Sequence, residues 1–188
     1  MIVLIVDGLS ILFLVYVLLW FIVPVVYGRR SIPTTPGRIR AALKLANLQP
    51  DEVLYDLGAG DGRVLLIAAR EFGAKAVGIE AGPLHCAWIW LRLAASGLGD
   101  QIQIRWANVY KADLHAADVV FVYATSAEAA RLAPHLERQL KQGTRLVSIT
   151  TDFPEWEPAA LDDRDLIFVY EMPPTSGSLT SYMLKKAN

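Results

Sequence analysis

The chain has 188 residues, 54% of them hydrophobic, and its 18 Lys and Arg nearly balance its 19 Asp and Glu. The formal net charge of −1 gives no electrostatic support for binding to nucleic acid, because that binding depends on neutralised phosphates. A single cysteine, Cys86, excludes an internal disulfide and fits a reducing compartment, and the 3 histidines are scattered without metal-ligand spacing, so we predict no metal site.

An uncharged apolar run occupies the start of the chain, from Gly8 to Gly28. As a helix it would span about 30 Å, which matches the hydrocarbon core of a bilayer. The run is too long for a signal peptide, and no basic residue precedes it. We therefore predict that residues 1–28 form a retained, single-pass transmembrane anchor. Arg29 and Arg30 follow at once, which places the rest of the chain on the cytoplasmic, or matrix-equivalent, side of the membrane.

Residues 29–36 form a Pro-rich connector, because Pro33 and Pro36 each disfavour helix in the residue before them. Fully extended, the connector reaches only about 28 Å, so the domain that follows must lie against the membrane. That domain is expected to cover residues 37–188. Its first element is a helix from Pro36 to Leu48, where apolar residues recur with helical spacing.

Strand-like and helix-like segments then alternate along the domain. The predicted strands are EVLYDLG, AKAVGIEAG, QIQIRWANV, ADVVFVYAT and GTRLVSITT, and helical segments follow the first, second and fourth of them. This order predicts an α/β fold, a Rossmann-like doubly wound parallel sheet with helices on both faces. Two last segments, RDLIFVYEMP and SLTSYMLKK, are joined too closely for a crossover helix, so we predict that they form a C-terminal antiparallel hairpin.

A glycine-rich turn, D-x-G-x-G-x-G over residues 56–62, follows the first predicted strand. In an open α/β sheet this edge binds ligands, and the glycines let backbone N–H groups approach them. The turn is not a dinucleotide fingerprint, because Arg63 replaces the third glycine, and it is not a P-loop, because no Lys follows it. Asp56 would repel a pyrophosphate but suits an ammonium group, such as that of S-adenosylmethionine.

Acidic and amide side chains follow the next two strands. Glu80 ends the second strand, where a carboxylate can accept both hydroxyls of a ribose. Asn108 follows the third strand and either contacts an adenine edge or starts a turn. Asp61 either contacts the cofactor or caps the next helix. The predicted cofactor-binding residues in this region are Asp56, Gly58, Ala59, Gly60, Asp61, Gly62, Glu80, Ala81, Asn108 and Val109.

With these residues in place, the chain resembles the class I, seven-stranded S-adenosylmethionine-dependent methyltransferases over about residues 36 to 186. The order of the apolar anchor, PTTP, YDLGAGDGRVLLIAA, VGIEAGP and TRLVSITTDFPEWEP is similar to one branch of them. These are the membrane-anchored protein lysine methyltransferases whose mitochondrial members modify the adenine nucleotide translocase and the c subunit of ATP synthase. The resemblance implies S-adenosylmethionine as cofactor and a lysine of a protein near the membrane as substrate. It also places Thr34 and Thr35 over the cofactor; the alternative is a stiff linker.

The fourth strand is expected to end beside the transferred methyl group, which brings Tyr123 and Thr125 to the lysine channel, and the resemblance adds Thr35 to these catalytic residues. A lysine with a pKa of about 10.4 must lose its proton first, at a cost of roughly 4 to 5 kcal/mol at neutral pH. Asp152, Phe153 and Trp156 would form the far wall of the channel. The acidic residues around them, with only Arg164 in compensation, predict a lip that attracts a basic substrate.

Two other functions fit the same sequence. The runner-up is a methyltransferase acting on a lipid head group or a small molecule at the membrane surface. The other is a non-catalytic, cofactor-binding module that recruits partners through its anchor. An intact glycine turn followed by Glu80 argues against the second of these.

Overall fold

The computed structural model describes residues 8, 10–18 and 34–187. The chain divides at Thr34 into two units, and in the first of them residues 10–18 form helix α1. Most of the predicted anchor and residues 29–33 of the connector lie outside the described residues, so both stay predictions. Within the described ranges, no helix combines the length and the apolar character that crossing a bilayer requires.

The second unit alternates strands and helices in the predicted order, apart from its C-terminus. Its helices are α2 (Pro36–Leu45), α3 (Arg63–Phe72), α4 (Pro83–Ser96), α5 (Ser126–Gln139) and α6 (Leu179–Ala187). Its strands are β1 (Val53–Leu57), β2 (Lys75–Glu80), β3 (Ile102–Trp106), β4 (Val119–Val122), β5 (Arg145–Ile149), β6 (Trp156–Glu157), β7 (Ala160–Asp162), β8 (Ile167–Glu171) and β9 (Thr175–Ser176).

The main sheet has 7 strands in the order β3-β2-β1-β4-β5-β8-β7. Strands β1 to β5 are parallel, whereas β8 runs antiparallel to both β5 and β7. This confirms the predicted Rossmann-like sheet. The strand order reverses between β1 and β4, so the carboxyl ends of these two strands border the crevice where such sheets bind ligands.

The C-terminal hairpin is present, but one of its predicted strands is wrong. Strand β8 lies within the predicted RDLIFVYEMP, yet its hairpin partner is β7, which precedes it. The SLTSYMLKK segment forms α6 instead. Its N-terminus is capped by Ser178, whose hydroxyl accepts the N–H of Ser181 at 3.2 Å. The helix is then held by Lys185, whose Nζ lies 2.8 Å from Glu157 Oε1.

The core fills both faces of the sheet, as the doubly wound prediction requires. Helices α2, α3 and α4 pack on one face through residues such as Ile39 and Leu65, and α5 packs on the other through Leu132. Because side chains alternate along a strand, Leu54 and Asp56 of β1 share the first face. Asp56 therefore ends its strand on the side of α2 and α3.

Candidate active site

The glycine loop, residues 58–62, connects β1 to α3 at the carboxyl edge of the sheet. Gly58, Gly60 and Gly62 have φ angles of 97°, 56° and 76°, a region that side-chain-bearing residues adopt at a cost. The loop is fixed to the tip of β2, since the Gly58 N–H donates to the Ile79 carbonyl at 2.8 Å. The sequence prediction of an unusual backbone at this point is thus confirmed, and within the loop the Gly62 N–H donates to the Ala59 carbonyl at 2.7 Å.

Glu80 lies at the tip of β2 and joins two loops. Its Oε2 accepts the Gly60 N–H at 2.9 Å, and its Oε1 accepts the Gly82 N–H at 2.7 Å. The side chain is 12% exposed, and His85 Nδ1 lies 3.9 Å from its Oε1, so its partners belong to the site and not to the apolar core. Each carboxylate oxygen has a second lone pair, so the group is able to accept ribose hydroxyls as well.

Two further polar groups fit an amino-acid moiety of a cofactor. Asp56 is 3% exposed at the end of β1, and a buried carboxylate favours a cationic neighbour. Thr34 is 6% exposed, and among the described residues its Oγ1 has no hydrogen-bond partner. Because buried hydroxyls in folded proteins are normally paired, a polar ligand atom would complete this one. The residues present therefore fit S-adenosylmethionine.

A clamp of charged residues holds the start of the domain against the glycine loop. The Arg63 guanidinium binds Asp61 through two nitrogens, and its Nη1 donates to the Thr34 carbonyl at 2.8 Å. On the other side, Arg92 of α4 has its Nη1 at 3.4 Å from Asp61 Oδ2. Burial raises the pKa of Asp61, but the hydrogen bonds and charges of Arg63 and Arg92 outweigh this effect, so its pKa lies below the usual range. The N-cap position of α3 is Gly62, but Asp61 Oδ1 accepts the N–H of Arg63, the first residue of the helix, at 3.2 Å, so Asp61 both starts the helix and belongs to the clamp.

The clamp predicts a specific acid response. Ionised Asp61 stabilises the fold above the usual carboxyl pKa of about 4, and this contribution is lost as the pH falls through its depressed pKa. Replacing Arg63 by Met removes the partner, so we expect urea unfolding to show a shallower loss of stability in the variant below about pH 4. At neutral pH the difference should be no more than about 1 kcal/mol, since both side chains are partly exposed. Arg70→Met, an exposed site on the same helix, is the control; parallel pH curves for wild type and Arg63→Met would contradict the clamp.

The other predicted cofactor residues lie at the tips of β2 and β3. Asn108 Oδ1 accepts the Tyr110 N–H at 3.0 Å and thereby starts a short 3-10 turn. Of the two roles predicted for Asn108, this is the start of a turn. Val109 is buried in this turn, and the Ala81 carbonyl accepts the Trp106 Nε1 proton at 2.9 Å. Contacts of these residues and of Ala59 with adenosine stay predictions.

Two of the three predicted catalytic residues, Tyr123 and Thr125, follow β4, whereas Thr35 precedes α2. Tyr123 is half-buried and directly follows the strand. Thr125 caps α5 in a capping box with Glu128, and Thr35 caps α2 by accepting the Arg38 N–H at 3.4 Å. Both threonines therefore have structural roles, and their catalytic roles stay predictions. The tips of β4 and β5 are tied together, because the Thr151 hydroxyl donates to the Ala124 carbonyl at 2.7 Å.

The predicted far wall is wrong for two of its three residues. Phe153 and Trp156 are buried, with their rings stacked 4.8 Å apart, and both meet Tyr170 edge-on. The Tyr170 hydroxyl accepts the Phe153 N–H at 2.9 Å, which fixes this aromatic cluster inside the core. Asp152 is exposed. More positive charge lies near the acidic lip than the sequence predicted. Lys185 forms an ion pair with Glu157, and Arg38 Nε lies 4.0 Å from Asp165 Oδ1.

Cys86 supports the tip of β2. Its thiol lies 3.6 Å from the Glu80 carbonyl, and burial, followed by the charge of Glu80, raises its pKa to about 11. The thiol therefore stays protonated at neutral pH and is a poor nucleophile. Among the residues that the structure describes, no three His, Cys, Asp or Glu side chains are grouped so as to hold a metal ion.

The region that carries these features matches a known family. Residues 56–160, more than half of the chain, match the family model described as the ANTKMT methyltransferase domain. The chain belongs to this methyltransferase family. This methyltransferase is 33% identical over 128 residues to a protein-lysine N-methyltransferase of Saccharolobus islandicus, covering 68% of the chain and 80% of that relative. It is 29% identical over 157 residues to a lysine N-methyltransferase of Caenorhabditis elegans that is named for the c subunit of ATP synthase, covering 76% and 82%.

A solved structure gives the same picture. An RNA methyltransferase from Salinibacter ruber, in complex with S-adenosyl-L-homocysteine, superposes with a TM-score of 0.74 at 33% identity, covering 78% of this methyltransferase and 97% of that chain. The predicted resemblance, enzyme class and cofactor are thereby confirmed: the methyltransferase uses S-adenosylmethionine. When bound, this cofactor supplies a methyl group on a sulfonium. Asp56, Glu80 and Thr34 are the side chains that would hold it.

Sequence reasoning missed Arg63, Arg92, Gly78 and Gly82 as parts of this site. From the sequence, Arg63 is distinguished only as the residue that breaks a dinucleotide fingerprint. A Cβ on Gly82 would lie 2.7 Å from His85 Nδ1 and 3.2 Å from Glu80 Oε1, so this glycine leaves room for the Glu80 carboxylate. The Asp-Gly-Arg spacing at residues 61–63 was the available signal for the clamp.

Proposed function

We propose that this methyltransferase transfers methyl groups to lysine side chains of proteins at a membrane surface. The observation that carries the proposal is the Glu80 carboxylate, held by Gly60 and Gly82 at the tip of β2 beside the glycine loop. It supports a site for the methyl donor at the carboxyl edge of the sheet, the same edge at which β4 and β5 end. The two relatives described above bear names of protein lysine methyltransferases, which favours lysine as the acceptor.

Methyl transfer to lysine needs a site that binds the amine without its proton. Transfer is an in-line displacement, so positioning contributes much of the rate. Removing the lysine proton at neutral pH costs roughly 4 to 5 kcal/mol, and a poorly solvated channel lowers this cost. Tyr123 is half-buried and packs against the core, so it supplies an apolar wall at the tip of β4. Because the Thr125 hydroxyl is bonded to Glu128, we assign the main channel contact to Tyr123.

The membrane part of the proposal comes from the first unit. No charged residue lies between Gly8 and Gly28, and Arg29 and Arg30 follow. In α1 the apolar side chains of Leu12 and Phe13 are exposed, which suits a lipid environment. We therefore propose a single-pass anchor, with the catalytic unit on the cytoplasmic or matrix-equivalent side. A substrate presented close to the bilayer would then be favoured over a freely diffusing one.

An RNA substrate is a second candidate, because the solved relative from Salinibacter ruber bears the name of an RNA methyltransferase. Against it stands the charge of the chain, with 18 Lys and Arg for 19 Asp and Glu. An RNA-binding surface normally carries an excess of positive charge, since affinity comes from phosphate neutralisation. We therefore prefer protein, and RNA becomes one outcome of the test.

The test incubates the detergent-solubilised full chain with methyl-labelled S-adenosylmethionine and native membranes. We expect label in protein, recovered as methyl-lysine after hydrolysis, and none with Asp56→Asn. Tyr123→Ala should retain cofactor affinity within about threefold, yet transfer at least about tenfold more slowly, since it changes only the lysine side of the site. Label confined to extracted lipid or to RNA would overturn the lysine assignment.

A separate assay tests the anchor. Deleting residues 1–28 should leave binding of S-adenosylhomocysteine unchanged and abolish flotation of the protein with membranes. A truncated protein that floats as fully as the full chain would refute the anchor without affecting the lysine assignment.

A further inference from the structure

Helix α4 has an exposed face without charge. Cys86, Ile89 and Leu93 face the core, whereas the opposite side, which we call the α4 face, is apolar. Its members are Ala87, Trp88, Trp90, Leu91 and Ala94. Trp88, Trp90 and Leu91 are 52%, 65% and 64% exposed. The solvent side of a surface helix normally carries charged and polar residues, so this pattern indicates a surface that contacts something other than water.

We propose that the α4 face inserts into the interfacial layer of a lipid bilayer. This inference rests on the membrane anchoring proposed above, and it adds a second contact between protein and membrane. Tryptophan prefers the boundary between head groups and acyl chains, because its ring is apolar and its N–H needs a polar partner. A helix lying in the plane of the interface presents an apolar face of this kind to the acyl chains.

The length of chain between the uncharged run and Thr34 limits how far an anchoring bilayer can lie from α4. Only residues 29–33 separate the uncharged run from Thr34, so the chain between Gly28 and Thr34 spans about 20 Å at most. The Thr34 carbonyl accepts from Arg63, Arg63 binds Asp61, and Arg92 of α4 also contacts Asp61. A membrane that holds the uncharged run therefore lies within reach of the C-terminal half of α4.

The size of the patch argues against a second copy of the chain as the occupant. Taking about 250 Å² for a full Trp surface, the exposed parts of Trp88, Trp90 and Leu91 amount to on the order of 400 Å². A stable protein interface buries about 800 Å² on each partner. Contact with a bilayer needs no such minimum area, because the proposed N-terminal anchor already holds the protein at the membrane.

The contact would also orient the active site. The buried side of α4 supports the glycine loop, because a Cβ on Gly62 would lie only 3.0 Å from Ile89 Cγ2. Arg92 of the same helix contacts Asp61 in that loop. Placing α4 on the membrane therefore holds the cofactor loop at a fixed height above the bilayer. Lysines presented near the surface would be selected over distant ones.

The experiment compares two matched positions in the full chain. Ala94 on α4 and Ala130 on α5 are both exposed helical alanines, and these helices pack on opposite faces of the sheet. Each is replaced by Cys and labelled with a fluorophore that responds to polarity. Cys86 is kept, since it is buried with a pKa of about 11 and reacts poorly. The proteins are reconstituted into vesicles of phosphatidylcholine and phosphatidylglycerol, with or without brominated acyl chains.

We expect the label at position 94 to shift to shorter wavelength in vesicles and to lose intensity with brominated lipid, while the label at position 130 does neither. Adding Trp90→Glu to Ala94→Cys should remove this quenching while the protein still floats with the vesicles. A protein that floats but shows equal signals at both positions would overturn the α4 contact and leave the anchor intact. Failure to float would overturn both proposals.

Discussion

Replacing Glu80 by Gln is expected to lower the affinity for S-adenosylhomocysteine by at least about tenfold. The carboxylate now accepts the N–H groups of Gly60 and Gly82, one on each oxygen. Glutamine has one acceptor oxygen, so its NH₂ group would face one of these donors and leave it unpaired, at a cost of about 1–3 kcal/mol. The loss of a charged acceptor for the ribose hydroxyls adds about 1.5–3 kcal/mol to the binding cost. Titration calorimetry with S-adenosylhomocysteine measures the effect.

The control is Glu171→Gln. Glu171 is exposed and lies opposite Arg145 in the β5–β8 register, at the start of β5 and so at the edge of the sheet away from the glycine loop; its variant should bind the ligand as wild type does. Urea unfolding of Glu80→Gln separates folding from binding, and we expect it to lose about 1–3 kcal/mol of stability and remain folded. Unchanged affinity in a folded Glu80→Gln protein would show that this carboxylate does not contact the ligand.

The position of Glu80 could be predicted from the sequence because it depends only on strand direction. Apolar runs alternating with helical segments indicated a parallel sheet, and in such a sheet the ends of β1 and β2 share one edge. Asp56 and Glu80 follow these two strands, so their proximity required no knowledge of packing. The same reasoning placed Tyr123 at the tip of β4, where the structure has it.

The errors fall where tertiary contacts decide. The SLTSYMLKK segment has apolar residues that fit a short strand or a short helix, and the cap by Ser178 with the ion pair of Lys185 selects the helix. Phe153 follows β5 and was assigned to an open wall, but its ring stacks on Trp156 inside the core. Loop residues carry no periodicity, so their burial leaves no sign in the sequence.

Contacts between residues that are distant in sequence could not be predicted from the sequence either. Arg63 reaches back to Thr34, and Arg92 reaches back to Asp61, each across a whole helix or strand. Neither pair leaves a local pattern, because each depends on how α3 and α4 pack beside the loop. Gly78 was likewise interpreted only as part of a strand, although its missing side chain makes room for the loop.

Gly78→Ala is expected to weaken binding of S-adenosylhomocysteine by at least about tenfold and to cost about 1–3 kcal/mol of stability, the usual range for overpacking a core. A Cβ at this position would lie 2.6 Å from Ile104 Cδ1, 2.8 Å from Leu65 Cδ1 and 2.9 Å from Ala59 Cβ. The first two atoms are the ends of flexible side chains and can move. Ala59 cannot rotate away, because its Cβ is attached directly to the loop backbone.

The loop must therefore shift, and with it the Gly60 N–H that Glu80 binds. Gly37→Ala is the matched control, since a Cβ there meets nothing within 4 Å, and in helix α2 the change should be neutral or stabilise by roughly 0.5–1 kcal/mol. Urea unfolding and calorimetry on both variants test the argument. Gly78→Ala could instead lose stability but bind the ligand like wild type. The side chains of Ile104 and Leu65 would then have moved to accommodate the new methyl group, and the packing of the glycine loop on β2 would not control the cofactor site.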